Sequence, residues 1–176
     1  KKTSAVFIAF SVLFVIGFAW LLTHSLIQTT TKLIKPIRTE SVTSHEELEI
    51  FPQLSPDSKR IAFVRVDKGM QSNKLIVKQV GTENEIVLND VKGLYGDPVW
   101  SPDGQKLAFI HMVGSTCTVR IVNGLGGRSR FLTGCSGELV RTFRKSLLWM
   151  KDGKSIILTK PVNSKKALAL VKVDVE

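Results

Sequence analysis

The sequence predicts a mainly β chain. It reads as a partial β-propeller of about three four-stranded blades, preceded by one N-terminal transmembrane helix. Two observations carry this reading. Residues 52–64 ("PQLSPDSKRIAFV"), 98–110 ("PVWSPDGQKLAFI") and 147–159 ("LLWMKDGKSIILT") align without gaps as strand, tight turn, strand. Residues 5–22 ("AVFIAFSVLFVIGFAWLL") form a run of 18 without a charge.

The apolar run is near the lower end of the ~17–25 residues that cross a bilayer as a helix. Lys1 and Lys2 precede it, and Trp20 stands near its far end, where aromatic belts occur. A cleaved signal peptide would have a shorter core and a small-residue cleavage site, and no A-x-A pattern follows here. All-round apolarity over this length also argues against a buried soluble helix. The expected organisation is a cytoplasmic flank at 1–4, a transmembrane helix in membrane lipid at 5–27, a linker at 28–37 and propeller repeats forming an incomplete ring at 38–176. Lys1 rather than Met stands first, so a preceding cytoplasmic segment is expected.

Within the repeat, Leu54, Trp100 and Trp149 correspond and stand 46 and 49 residues apart in turn. A period in the forties with a strand–turn–strand core points to propeller blades or similar arrays. Pro56 and Pro102 preset φ at the first turn position, and Asp57, Asp103 and Asp152 bond back to nearby backbone. Gly104 and Gly153 tolerate positive φ, and Ser58 takes their place in the first copy. Met150-Lys151 replaces Ser-Pro in the third, the most degenerate copy. Leu54, Trp100, Trp149, Phe63 and Phe109 are the expected blade core.

Further strands are predicted at 74–80, 84–88, 117–123, 128–133 and 167–173, where apolar residues alternate. Val42 stands as far before Leu54 as Leu88 does before Trp100, so 38–44 is expected to be an outer blade strand.

If 124–127 ("GLGG") is the turn joining two strands, Cys117 falls opposite residue 134 or 135. Opposed Cβ atoms lie near disulfide distance, so a Cys117–Cys135 bond is expected, with two separate buried thiols as the alternative. A disulfide implies an oxidising compartment. That places the repeats outside the cytoplasm and the expected preceding segment inside it.

No catalytic, cofactor-binding or metal-binding residue is assigned, and the chain reads as non-enzymatic, without a cofactor. "HEELE" (45–49) lacks the second His of a zinc motif. "GCSGE" (134–138) has Glu138 where a nucleophile elbow needs Gly. "NGLGG" (123–127) joins two predicted strands, and a dinucleotide loop needs a helix to follow. His24, His45 and His111 are not at metal-ligand spacing. The net charge of +10 is scattered singly, as at Lys59, Arg60 and Lys106, rather than gathered into a nucleic-acid patch. Lys32, Lys35 and Arg38 fit anionic headgroups.

"FPQLSPDSKRIAFVR" and "DPVWSPDGQKLAFIH" resemble the Pro-Asp repeat of the TolB-like propeller superfamily over residues 38–176. The resemblance implies a ring of about six to eight blades. The apolar run followed by "VTSHEELEIFPQLSPDSKRIAFV" resembles the extracytoplasmic half of ToxR/CadC-type membrane-bound transcription activators. In that family a cytoplasmic winged-helix domain precedes the membrane helix. The resemblance implies a single-pass protein of a bacterial inner membrane with its C-terminal part periplasmic, whose propeller senses a signal or binds a protein partner or small ligand and meets DNA only through a domain absent from this sequence. Similar propellers also precede serine-peptidase domains, belong to membrane kinases, or act as TolB-like envelope scaffolds; these are the alternatives.

Overall fold

The computed structural model of the chain describes residues 13–22, 38–69, 71–88, 91–136, 146–161 and 168–176. The chain divides into two compact units, Lys1–Glu40 and Ser41–Glu176.

In the first unit, residues 13–22 are helical and all ten are exposed, among them Phe14, Phe18 and Trp20. At ~1.5 Å per residue this stretch is ~15 Å long, half of a ~30 Å hydrocarbon core. No helix among the described residues is long and apolar enough to cross a membrane. The remainder of the expected 5–27 span lies outside the described residues, as do the expected flank at 1–4 and linker at 28–37.

The second unit contains three antiparallel sheets. The first is β1 (Leu48–Leu54), β2 (Arg60–Val66), β3 (Asn73–Gln79) and β4 (Glu85–Val87). The second is β5 (Leu94–Trp100), β6 (Lys106–Val113), β7 (Thr116–Asn123) and β8 (Arg130–Gly134). The third is β9 (Leu147–Trp149), β10 (Ser155–Pro161) and β11 (Leu168–Asp174). In each, spatial order follows chain order, the meander expected when short polar turns join successive apolar runs.

The aligned repeats take the same register. Ala62 pairs with Val77 in the first sheet, and Ala108 with Ile121 in the second. The opening strands of the first and second sheets also carry the same irregularity, between Ile50 and Gln53 and between Gly96 and Val99. Pro52 and Pro98 explain it, since a proline cannot donate to the ladder and is tolerated in a sheet mainly at edges and bulges. The residue before each proline, Phe51 (φ 56°) or Asp97 (φ 40°), is left-handed.

The sheets stack face to face. On β6, Leu107 and Phe109 point to the first sheet and meet Ala62, Val64, Leu75 and Val77. Ala108 and Ile110 point to the third and meet Leu147, Trp149, Ile156 and Leu158. Trp100 (6% exposed) enters the first of these cores and Trp149 (7%) the second, so each aromatic buries against the preceding sheet. Phe63 is buried with Ile76 on the other face of the first sheet.

Two expectations are corrected. Leu54 is 53% exposed, not core. It occupies the position of Trp100 and Trp149, but no described sheet lies on the side it faces. Residues 38–44 are not a strand. Val42 is a lone apolar residue among polar neighbours, the Ser41 hydroxyl bonds the Thr43 carbonyl, and the first sheet already has its outer strand in β4.

Cys117 on β7 and Cys135 just beyond β8 form a disulfide with S–S 2.02 Å and Cα–Cα 5.1 Å. The Cys135 amide donates to the Cys117 carbonyl at 3.1 Å, continuing the ladder past the strand's end.

Two stability measurements check this packing. Trp100→Ala lowers the unfolding free energy in urea by about 3–5 kcal/mol, whereas Leu54→Ala costs about 1 kcal/mol or less; equal losses contradict the assignment. Replacing both Cys117 and Cys135 by Ala costs about 3 kcal/mol through the freed loop, read as a lower urea midpoint in non-reducing buffer.

Candidate functional site

The repeated turns gather at one end of the sheet stack. Inside each turn a small network fixes the backbone. Ser55 Oγ donates to Asp57 Oδ1 (2.6 Å), which also accepts from the Lys59 amide (3.1 Å). Ser101 Oγ donates to Asp103 Oδ1 (2.6 Å), which accepts from the Gln105 amide (3.0 Å). The third turn keeps the Asp152 contact to the Lys154 amide at 2.9 Å; Met150 brings no hydroxyl. Ser58, Gly104 and Gly153 take positive φ at the same turn position. The serine hydroxyl, then the backbone amide, holds the carboxyls of Asp57 and Asp103 below their ordinary 3.8. These aspartates are turn formers, and their Oδ1 atoms are committed to it.

Polar clamps join successive sheets. Arg60 Nη2 donates to the Gly104 carbonyl of the next turn (2.7 Å), and its guanidinium lies 4.7 Å from the Trp100 ring centroid. Trp100 Nε1 donates back to the Gln53 carbonyl at 3.0 Å. Asn73 bonds both the amide and the carbonyl of Tyr95 (2.7 and 2.8 Å). Between the second and third sheets, the buried Asp97 carboxylate accepts from the amides of Ser146 and Leu147 and from the Ser146 hydroxyl.

Wells open between the turns. One of about 430 Å³ is lined by Arg60, Gln79, Asn84, Ile86 and Leu125 and equally by Asp57 and Lys59. A second, of about 280 Å³, shares Arg60 and Leu125 and adds Asp103, Gln105 and Asn123. A third, about 200 Å³, lies by Lys106, Trp149 and Asp152. At the opposite end a wider groove of about 680 Å³ runs past Lys74, Lys92, Tyr95 and Met112. Asn73, which lines it, is committed to Tyr95.

Away from the rim, Arg65 is buried on the outer face of the first sheet. It bonds Glu49 Oε1 and both oxygens of Glu85, each at 2.9 Å. Lys78 (2% exposed) meets Glu83 at 3.0 Å. The Arg65 bonds hold the Glu85 carboxyl below its ordinary value despite burial. His45 lies 3.8 Å from Glu85, and His111 is buried with Nε2 2.9 Å from the Lys92 carbonyl. Among the described residues no group of three or more His, Cys, Asp or Glu side chains could hold a metal ion.

The predicted turn residues Pro56, Asp57, Pro102, Asp103, Gly104, Asp152 and Gly153 thus lie at one end, and Trp100, Trp149, Phe63 and Phe109 are buried. Sequence reading missed Arg60, Asp97 and the Arg65 cluster. Asp97 had a local signal: it occupies the pre-proline position filled by Phe51 in the first copy, and a carboxylate there must find donors.

No family model matches the chain. It is 30% identical over 113 residues, 61% of its length, to a Bacillus subtilis (strain 168) protein named "Uncharacterized peptidase YuxL", of which it spans 16%. In structure it is similar to TolB from Acinetobacter baumannii, with a TM-score of 0.62 and 21% identity, over 78% of this chain and 32% of that one. A putative TolB from Agrobacterium tumefaciens gives a TM-score of 0.56 and 18% identity, over 78% of this chain and 49% of that one. The fold is therefore that of the TolB-like β-propellers.

The turn networks make a measurable prediction. The carboxyl carbon of Asp103 titrates by NMR below 3.8, and Ser101→Ala raises its midpoint. Because the folded value is depressed, the turn's contribution to stability is present above the unfolded value and fades as pH falls through the folded one. An unchanged midpoint in Ser101→Ala removes the serine from this role.

Proposed function

We propose that this chain is the recognition part of a membrane-anchored transcriptional regulator. The propeller stands outside the cytoplasm, binds a protein partner or small ligand, and relays that event across the membrane to a cytoplasmic DNA-binding domain outside this sequence. The observation that carries this reading is the Cys117–Cys135 disulfide between neighbouring strands, since such bonds persist in oxidising compartments. The exposed apolar helix at 13–22 supports anchoring. The inter-sheet wells, walled by side chains of two sheets at once, support recognition.

Relay has a physical requirement. A ligand shifts an equilibrium only by its differential affinity for the two states. A well spanning two sheets meets that requirement, because any change in their spacing alters the well. The same reading assigns no catalytic side chain to the chain.

A second reading is favoured by the Bacillus relative: the chain is the propeller part of a membrane-anchored peptidase whose hydrolytic residues lie outside this sequence. The encoding reading frame separates the two. A winged helix before Lys1 supports the regulator, and a strand–turn–helix bearing G-x-S-x-G after Glu176 supports the peptidase.

Topology is tested in bacterial spheroplasts. External protease should degrade 38–176 in intact spheroplasts, and non-reducing mass mapping should recover the peptide joining Cys117 to Cys135. Protection from protease together with free thiols overturns both membrane readings.

A further inference from the structure

We propose that the well between the first two sheets binds the C-terminal residue of a partner polypeptide. Its α-carboxylate sits on Arg60, and its apolar side chain lies against Ile86 and Leu125. This names a partner chemistry for the recognition role above and rests on that reading.

The guanidinium is held in place before any ligand arrives. Its Nη2 is tied to the Gly104 carbonyl and its Cζ lies over the ring of Trp100, itself fixed by the Gln53 carbonyl. Gly124 makes the space. A Cβ there would lie 2.5 Å from Trp100 Cζ3 and 3.2 Å from Arg60 Nη1. Among the described residues the Gly104 contact is the guanidinium's one hydrogen bond, which leaves most of its five N–H donors to offer. A positioned guanidinium fork fits a carboxylate with two parallel bonds.

The neighbouring surface supplies what else such a ligand carries. Leu125, at the tip of the β7–β8 hairpin, is 71% exposed and faces the same well as Ile86 on β4. The side-chain amides of Gln79 and Asn84 line it and make no hydrogen bond among the described residues. Asp57 Oδ2 is likewise uncommitted. A C-terminal residue bears a carboxylate, an apolar side chain and an amide N–H on a single carbon, matching guanidinium, aliphatic wall and amide acceptors in one well. Charge narrows the choice. Asp57 lines this well beside Arg60 and Lys59, and Asp103 lines the adjoining one, so a dianionic phosphate meets about twice the repulsion that a single carboxylate does.

The test uses the full chain in detergent micelles and three acetylated peptides. One ends Gly-Ser-Gly-Leu as the free acid, the second is its carboxamide, and the third, Gly-Glu-Leu-Ser-amide, carries a side-chain carboxylate only. NMR should show saturable shifts of the Leu125 and Ile86 methyls and the Arg60 Nε–H with the free acid, and about tenfold weaker binding of the other two. Arg60→Lys keeps the charge but loses the fork, and Leu125→Ser changes only an exposed tip. Each should weaken the free acid about tenfold; Leu125→Ser keeps the melting profile of the parent, and Arg60→Lys, which also loosens the clamp to Gly104, is read below its own melting transition. The proposal is overturned by equal binding of acid and amide, by equal binding of the internal-glutamate peptide, or by no saturable shift up to about 10 mM. It is also overturned if Leu125→Ser binds as the parent does. None of these readings depends on membrane topology, so the spheroplast result and this one fail separately.

Discussion

A strand that is apolar on both faces cannot be satisfied by one layer. β6 is buried at every position from Leu107 to Met112, and side chains alternate between faces, so it needs a sheet on either side. Much of the architecture follows from that demand. Leu107 and Phe109 require the first sheet, Ala108 and Ile110 require the third, and the order of sheets in space becomes the order of repeats in the chain. At about 25 cal/mol per Å² of apolar surface, the exposed alternative is costly for each of these side chains. The turn end and its wells are consequences: turns equivalent in sequence fall side by side only because the sheets stack.

Polar clamps then fix the spacing that apolar contact leaves loose. Burial is non-directional, whereas Asn73 to Tyr95, Trp100 to Gln53 and Asp97 to Ser146 and Leu147 have defined lengths. The two junctions use different chemistry. The first relies on neutral groups and one guanidinium; the second sets a buried carboxylate against backbone amides, where each bond to a charged group is worth about 1.5–3 kcal/mol. A junction held at Arg60 also borders the well of about 430 Å³ at the turn end, so clamp and recognition surface share a side chain.

What the sequence made legible is local. Ser, Pro, Asp and Gly at fixed offsets define a turn through contacts within five residues, and the bonds of Ser55 to Asp57 and Ser101 to Asp103 are of that kind. The cysteine pairing was legible because a short hairpin turns strand register into arithmetic. Leu54 misled because its repeat position says core, while its burial depends on a neighbour that the repeat pattern does not supply. Residues 38–44 misled because spacing was read without alternation. Arg60 reaches a turn 44 residues away and Asp97 a strand about 50 away. Nothing within a window of a few residues encodes such partners.

Among the described sheets the two outer faces carry different side chains. On the first sheet, the face that bears Leu54 also bears Arg65, Lys78, Glu49 and Glu85, with Phe63 and Ile76 already buried. Packing an apolar sheet there would strip water from paired charges, and desolvation of such pairs can exceed their mutual attraction. On the third sheet, Leu148 and Ile157 hold the positions of Val99 and Ala108, and Leu148 is exposed together with Leu168 and Leu170. Within the second sheet those positions are buried by the sheet that follows. The two faces therefore differ in balance: Leu54 is exposed beside the Arg65 cluster on the first sheet, whereas on the third Leu148, Leu168 and Leu170 are exposed beside the charge of Lys172.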